Sequence, residues 1–257
     1  MNQLTILFGL SETLESQIYI LLIVIFIALI IFSFAIQSKF KKTTTYYSAK
    51  ASTSNKTGAE VARMILKENG ITDVQVVKSG NTNRGFIDNF NPMNKVVTLS
   101  SSIYDSTSLT AIAIASHEVG HAIQYNKGTV LIKIRTRMVK PVAIVSQIGS
   151  FIFQIGFSIF FFALLIGSSF NIFIWFIIPG LIVTGATLLF NLITLPVEYD
   201  ASNRALAWLK TNNMLTNAEQ DGAKDALKWA ARTYLVAALG SLAMLLYWGI
   251  KILGSRN

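Results

Sequence analysis

Four long runs without an acidic or basic residue constrain this chain most: Ile18 to Ile36, Val142 to Ile166, Ile172 to Leu195, and Thr233 to about Leu253. Lys251 alone intrudes, close enough to an end for its amine to reach the interface. An apolar helix of about 20 residues matches the hydrocarbon thickness of a bilayer. Composition agrees, with 52% hydrophobic and only 14% charged residues. The expected fold is therefore a mainly α membrane protein with four transmembrane helices. Residues 1–16 hold Glu12 and Glu15 but no lysine or arginine, so they lack the basic start of a secretory signal peptide.

Basic residues set the expected orientation. Lys39, Lys41 and Lys42 follow the first run, and Lys133, Arg135, Arg137 and Lys140 lead into the second. Arg204, Lys210, Lys224, Lys228 and Arg232 lie between the third and fourth, whereas the turn Gly167-Ser168-Ser169 has no charge. Cationic loops stay in the cytoplasm, so both termini are expected outside the plasma membrane, with the long segments between runs facing inward. The net charge of +9 is then largely a topology signal, and no nucleic-acid motif accompanies it. The absence of cysteine excludes disulfides and thiolate metal ligands.

These boundaries divide the chain into an N-terminal segment with the first span (1–37), a cytoplasmic module (38–138), a transmembrane hairpin (139–195), a cytoplasmic helical segment (196–232) and the last span (233–257). Within the module, Tyr46 to Asn55 reads as a linker. Thr57-Gly58-Ala59-Glu60 is a capping box opening a helix that carries Val61, Ile65 and Leu66 on one face and stops at Gly70. Asp73 to Lys78 and Lys95 to Ser100 read as short strands, with Ser79 to Met93 a Gly/Asn/Asp-rich loop between them. The module is thus expected to be a small α+β unit. Val96, Val97 and Thr98 read equally as an ordinary buried strand or as an exposed edge that would hold an extended peptide by backbone pairing.

The chain has two histidines, and both fall in Ser116-His117-Glu118-Val119-Gly120-His121. Asp105, Ser106 and Ser108 offer capping oxygens before it, Ile112, Ala115, Val119 and Ile123 follow helical spacing, and Lys127-Gly128 ends it. On a helix His117 and His121 share a face and can present both imidazoles to one metal ion, with Glu118 beside it as a base. The bland alternative is a pair of core histidines. The confinement of both to one H-E-x-x-H stretch on a helix argues against that. Gly120 weakens the helix, which points to close approach of a substrate or another helix.

A catalytic zinc needs a third protein ligand, which here must be a carboxylate. Asp73, Asp88 and Asp105 lie in the module, while Glu198 and Asp200 stand in Leu195-Pro196-Val197-Glu198-Tyr199-Asp200-Ala201, directly after an apolar run. An acid at a membrane boundary is costly unless something neutralises it, as a divalent metal does. Pro196 suits a helix first turn, which would set Glu198 early in that helix. Two residues apart means about 200° on a helix, so only one of the pair can face a shared metal. Asp200 has the simpler option of an ion pair with Arg204.

Taken together, Thr57 to Arg63, Ser116 to Tyr125, Leu195 to Leu206 and the stretch from Gly222 into the last run resemble the bacterial family of membrane-bound neutral zinc metallopeptidases. That family is similar in site plan to the CAAX prenyl proteases and the gluzincin-type heat-shock membrane proteases. The resemblance implies a zincin-like module in which His117, His121 and Glu198 bind one zinc ion per chain and Glu118 is the catalytic base. It further implies hydrolysis of membrane or membrane-proximal peptides. Relatives carry an aspartate four residues after the ligand glutamate; here that place is Ser202, so Ser202 and Asp200 both stand as partners for a histidine. The loop Asp88-Asn89-Phe90-Asn91-Pro92 departs from the family's Asp-His-Tyr-Asp-Pro, which argues against a catalytic role for it. Tyr125, Tyr199 and Arg204 are the candidate donors to a developing oxyanion. The competing class is a zinc-bearing membrane scaffold or adaptor that binds clients without cutting them. Retention of Glu118 disfavours it.

Overall fold

A computed structural model describes residues 12–79, 88–165 and 174–254. The expected turn Gly167-Ser168-Ser169 and positions 80–87 of the expected loop lie outside the described residues. The elements run α1 (Glu12–Ser48), α2 (Gly58–Glu68), β1 (Gln75–Lys78), β2 (Asn89–Asn91), β3 (Val96–Leu99), α3 (Ser101–Tyr104), α4 (Leu109–Asn126), α5 (Val130–Leu165), α6 (Ile174–Thr211) and α7 (Asn217–Gly254). Two compact units share the chain, and their boundaries fall inside the long helices α1, α5, α6 and α7.

The first unit comprises Met1–Phe34, Arg137–Leu192 and Leu235–Asn257. Its helices leave large apolar side chains uncovered: Ile31 is 64% exposed, Phe34 68% and Ile182 64%. An unbroken apolar surface of this kind is stable against lipid and unstable in water. Among the described residues three helical stretches are long and apolar enough to cross a membrane: Ile23–Ser48, Ile178–Thr211 and Asn217–Gly249. This corrects the expectation of four. The described part of the second run, Val142 to Leu165, falls in α5, which starts at Val130, so Lys133, Arg135, Arg137 and Lys140 lie inside the helix and not ahead of it.

The second unit, Ala35–Thr136 with Ile193–Tyr234, holds the α+β part. Thr57 and Glu60 form the reciprocal capping box that starts α2, and Gly70 (φ 69°) follows its end. The amphipathic α2 buries Val61, Ile65 and Leu66 against α4, whose Ile112, Ala115 and Val119 are fully enclosed. Ala205 and Leu209 of α6 and Ala223 and Leu227 of α7 complete the same core. Small residues on α4 and α6 let the helix backbones approach closely, and that closeness positions the site.

The sheet order is β1-β3-β2, with β1 parallel and β2 antiparallel to β3. Two expectations change here. β3 is the central strand, paired on both sides, so Val96, Val97 and Thr98 offer no edge; Val97 and Leu99 point into the core instead. Asn89–Asn91, expected as loop, is the edge strand β2, stabilised by the Asn91 side chain accepting from the Met93 and Asn94 amides in the turn that follows. Pro196 does not start a helix either. α6 runs through it as one helix from Ile174 to Thr211.

Candidate metal centre

Everything described in this centre lies in the second unit. The helix α4 is capped by the Ser108 hydroxyl accepting from the Ala111 amide, and Gly128 (φ 71°) follows its end. At Gly120 it meets α6 almost backbone to backbone. A Cβ added there would sit 2.5 Å from the carbonyl oxygen of Ala201. Absence of a side chain at Gly120 therefore brings the α4 histidines against the carboxylates of α6. Gly120→Ala gains about 1 kcal/mol of helix propensity, but the carbonyl it strikes belongs to a helix and cannot step aside. A net loss on the order of 1–3 kcal/mol is expected, read as a lowered Tm together with weaker binding of added metal. A variant as stable and metal-retentive as the parent contradicts this packing.

Among the described residues, His117, His121 and Glu198 present ligand atoms that all lie within 4.8 Å of one another. Glu198 Oε2 is 3.0 Å from His117 Nε2 and 3.6 Å from His121 Nε2. A tetrahedral zinc with ligands about 2.0–2.1 Å away separates its donors by about 3.3 Å. The observed spacings straddle that value, and two imidazoles with one carboxylate are a donor set zinc takes with a position left open. The cluster fits a metal ion without rearrangement. Burial acts to lower the pKa of His117, but the hydrogen bond and charge of Glu198 outweigh it and hold the imidazole above its usual value. The negative field that favours a proton there favours a dication more.

Partners hold the far side of each ligand. Ser202 Oγ lies 3.1 Å from His117 Nδ1, and Gln124 Oε1 lies 3.0 Å from His121 Nδ1. Gln124 Nε2 donates to the Val197 carbonyl at 2.8 Å and to Asp200 Oδ2 at 2.7 Å, and Arg204 Nε donates to the same Asp200 oxygen at 2.8 Å. Arg135 from α5 pairs with the second oxygen of Glu198 at 3.0 Å. So one Glu198 oxygen faces the histidines and the other faces an arginine.

Glu118 is 9% exposed, and its Oε2 accepts a hydrogen bond from the Phe90 amide of β2 at 3.0 Å. Burial pushes its pKa up; the charges of His117 and His121 oppose this without cancelling it. The strand whose sequence argued against a role thus touches Glu118 through its backbone, where side-chain identity does not matter.

Other candidates lie elsewhere. Asp73 pairs with Lys95 and Asp105 with Lys78 on exposed surface, and Asp88 accepts from the backbone and hydroxyl of Ser100. Burial raises the Asp88 pKa, with the Ser100 bonds opposing. Asp200 is joined to the cluster through Gln124, and Arg204 is occupied by Asp200. Tyr199 is 39% exposed, whereas Tyr125 packs edge-on against Phe90, with ring centres 6.1 Å apart. These two rings border a cleft of about 330 Å³ that Asp73, Lys95 and Lys133 also line. Gln124 and Arg135 were absent from the sequence-derived site. Apart from His121, three residues from Gln124, their partners are distant in the chain, and neither a lone helical amide nor an arginine in a basic run carries a local signature.

Comparison with known proteins adds independent findings. The pattern of the family described as "Putative neutral zinc metallopeptidase" matches residues 21–252. The chain is similar to the "Putative membrane protease YugP" of Bacillus subtilis (strain 168), 36% identical over 237 residues, covering 92% of this chain and 99% of that protein. No solved structure matches.

Proposed function

Because the chain belongs to the bacterial membrane-associated neutral zinc metallopeptidase family, we propose that it is an integral-membrane zinc peptidase acting on membrane or membrane-proximal polypeptides. One observation carries the reading: a buried carboxylate, Glu118, stands beside a three-donor cluster of the composition zinc takes in hydrolases. A scaffold that needs a metal only for shape has no use for an acid buried at that point, where it costs stability.

In this reading His117, His121 and Glu198 hold the ion, one per chain. Zinc, when bound, acts as a Lewis acid that makes water a nucleophile at neutral pH and polarises a carbonyl. Glu118, aimed by the Phe90 amide, takes the proton from the attacking water and delivers it to the departing nitrogen as the C–N bond breaks. Arg135 engages one Glu198 oxygen, leaving the other for the ion. The cleft beside Tyr125 and Phe90 is the proposed approach for the polypeptide, with Tyr125 the proposed oxyanion donor.

The same proposal sets the site on the cytoplasmic face, since Lys39, Lys41, Lys42, Lys133 and Arg135 lie in the second unit.

The test is reconstitution in lipid with a quenched fluorescent polypeptide. Hydrolysis is expected to stop with a zinc chelator and to return with one equivalent of zinc. Hydrolysis indifferent to the chelator contradicts the zinc mechanism; zinc-dependent client binding without cleavage supports the adaptor class instead.

A further inference from the structure

We infer that Gln124 is a positioning residue that fixes which nitrogen of His121 carries its proton, so that the other is free for the metal; this rests on the zinc-site reading above. Gln124 ends in an amide. Its carbonyl oxygen only accepts and its NH2 only donates, and the two ends have nearly the same shape. At Gln124 the surroundings decide between them. One end meets two acceptors, the Val197 carbonyl at 2.8 Å and Asp200 Oδ2 at 2.7 Å, so it must be the NH2. Reversing the amide would press its oxygen against both. Gln124 is 1% exposed, so water cannot relieve that contact.

Oε1 is therefore the end that faces His121 Nδ1 at 3.0 Å, and an oxygen there requires Nδ1 to bear the hydrogen. Nε2 is left with its lone pair on the side of Glu198, whose Oε2 is 3.6 Å away. His117 is held differently. Its Nδ1 faces the Ser202 hydroxyl, which can rotate to donate or accept, so that contact does not dictate a tautomer. Asp200, with Arg204 behind it, acts on the site at one remove by orienting the amide.

The chain's two histidines make the inference directly readable, since selective ¹⁵N labelling of histidine gives signals from two rings only. In zinc-loaded protein His121 is expected as the Nδ1–H form, its proton shifted downfield by the bond to Gln124. Gln124→Leu is expected to abolish that shift and raise the zinc Kd by about 10- to 100-fold, with the His117 signals in place as proof of folding. Gln124→Glu sets a third oxygen against Val197 and Asp200 and is expected to lose affinity likewise. Adding Asp200→Asn supplies an NH2 to the new carboxylate and should recover most of it. An unchanged His121 signal and Kd in Gln124→Leu, or no recovery in the double variant, overturns the inference alone. A parent protein that binds no zinc overturns the metal-site reading and this inference with it.

Discussion

Glu118→Gln is expected to keep its zinc and its fold while peptide hydrolysis falls by about 10²- to 10⁴-fold, the range that a positioned general base contributes. The amide preserves the shape of the side chain, and its oxygen can still accept from the Phe90 amide. What it cannot do is accept a proton. Stability should hold or rise, because the substitution removes a carboxylate whose charged form burial disfavours. The pairing of intact metal content with lost turnover separates a catalytic Glu118 from a structural one. Unchanged turnover in a zinc-loaded variant would assign the base elsewhere.

The second large effect concerns the acids of α6. Glu198→Gln is expected to weaken zinc binding by more than about 100-fold, beyond what loss of an outer contact usually costs. The neutral amide is a poor ligand, and with Arg135 fixed against one end it cannot satisfy both the arginine and a cation. Asp200→Asn is expected to cost about 10-fold, since Asp200 reaches the cluster only through Gln124. Competition with a chromogenic chelator measures both. A greater loss in the Asp200 variant would reverse the assignment and would require α6 to turn on its axis.

Some of this was legible in the residues. His117, Glu118 and His121 stand in one short stretch, and a local pattern on a helix needs no knowledge of the fold to read. Glu198 was traceable because an acid just after an apolar run needs a compensating charge. The compensation itself was not. Arg135 sits among Lys133 and Arg137, where positive charge reads as a topology signal, and nothing local says that this one side chain turns toward Glu198. Gln124 is hidden for a related reason: His121 is three residues away, but the two acceptors that orient the amide lie 73 and 76 residues off. The part played by β2 was hidden differently. Asn89 and Asn91 argued against a role for the strand, yet the contact to Glu118 is a backbone amide that any residue but proline supplies.

The remaining errors concern boundaries. Helix α5 starts at Val130 and so includes the basic residues ahead of the second run, the spans among the described residues number three where four were expected, and α6 runs through Pro196 where a helix start was expected. β3 alternates as an edge strand would, but a strand buried on one face alternates in the same way whether it has one neighbour or two. Only the register of β2 settles that, and three residues of Asn-Phe-Asn give little sign of a strand.

X-ray absorption at the zinc edge of the purified protein, beside elemental analysis, tests the central claim most directly. The account predicts about one zinc per chain in a four-coordinate shell of nitrogen and oxygen at about 2.0–2.1 Å, with outer scattering from two imidazoles that disappears with the metal in His117→Ala and His121→Ala. A six-oxygen shell without imidazole scattering, or full zinc occupancy in either histidine variant, would contradict it.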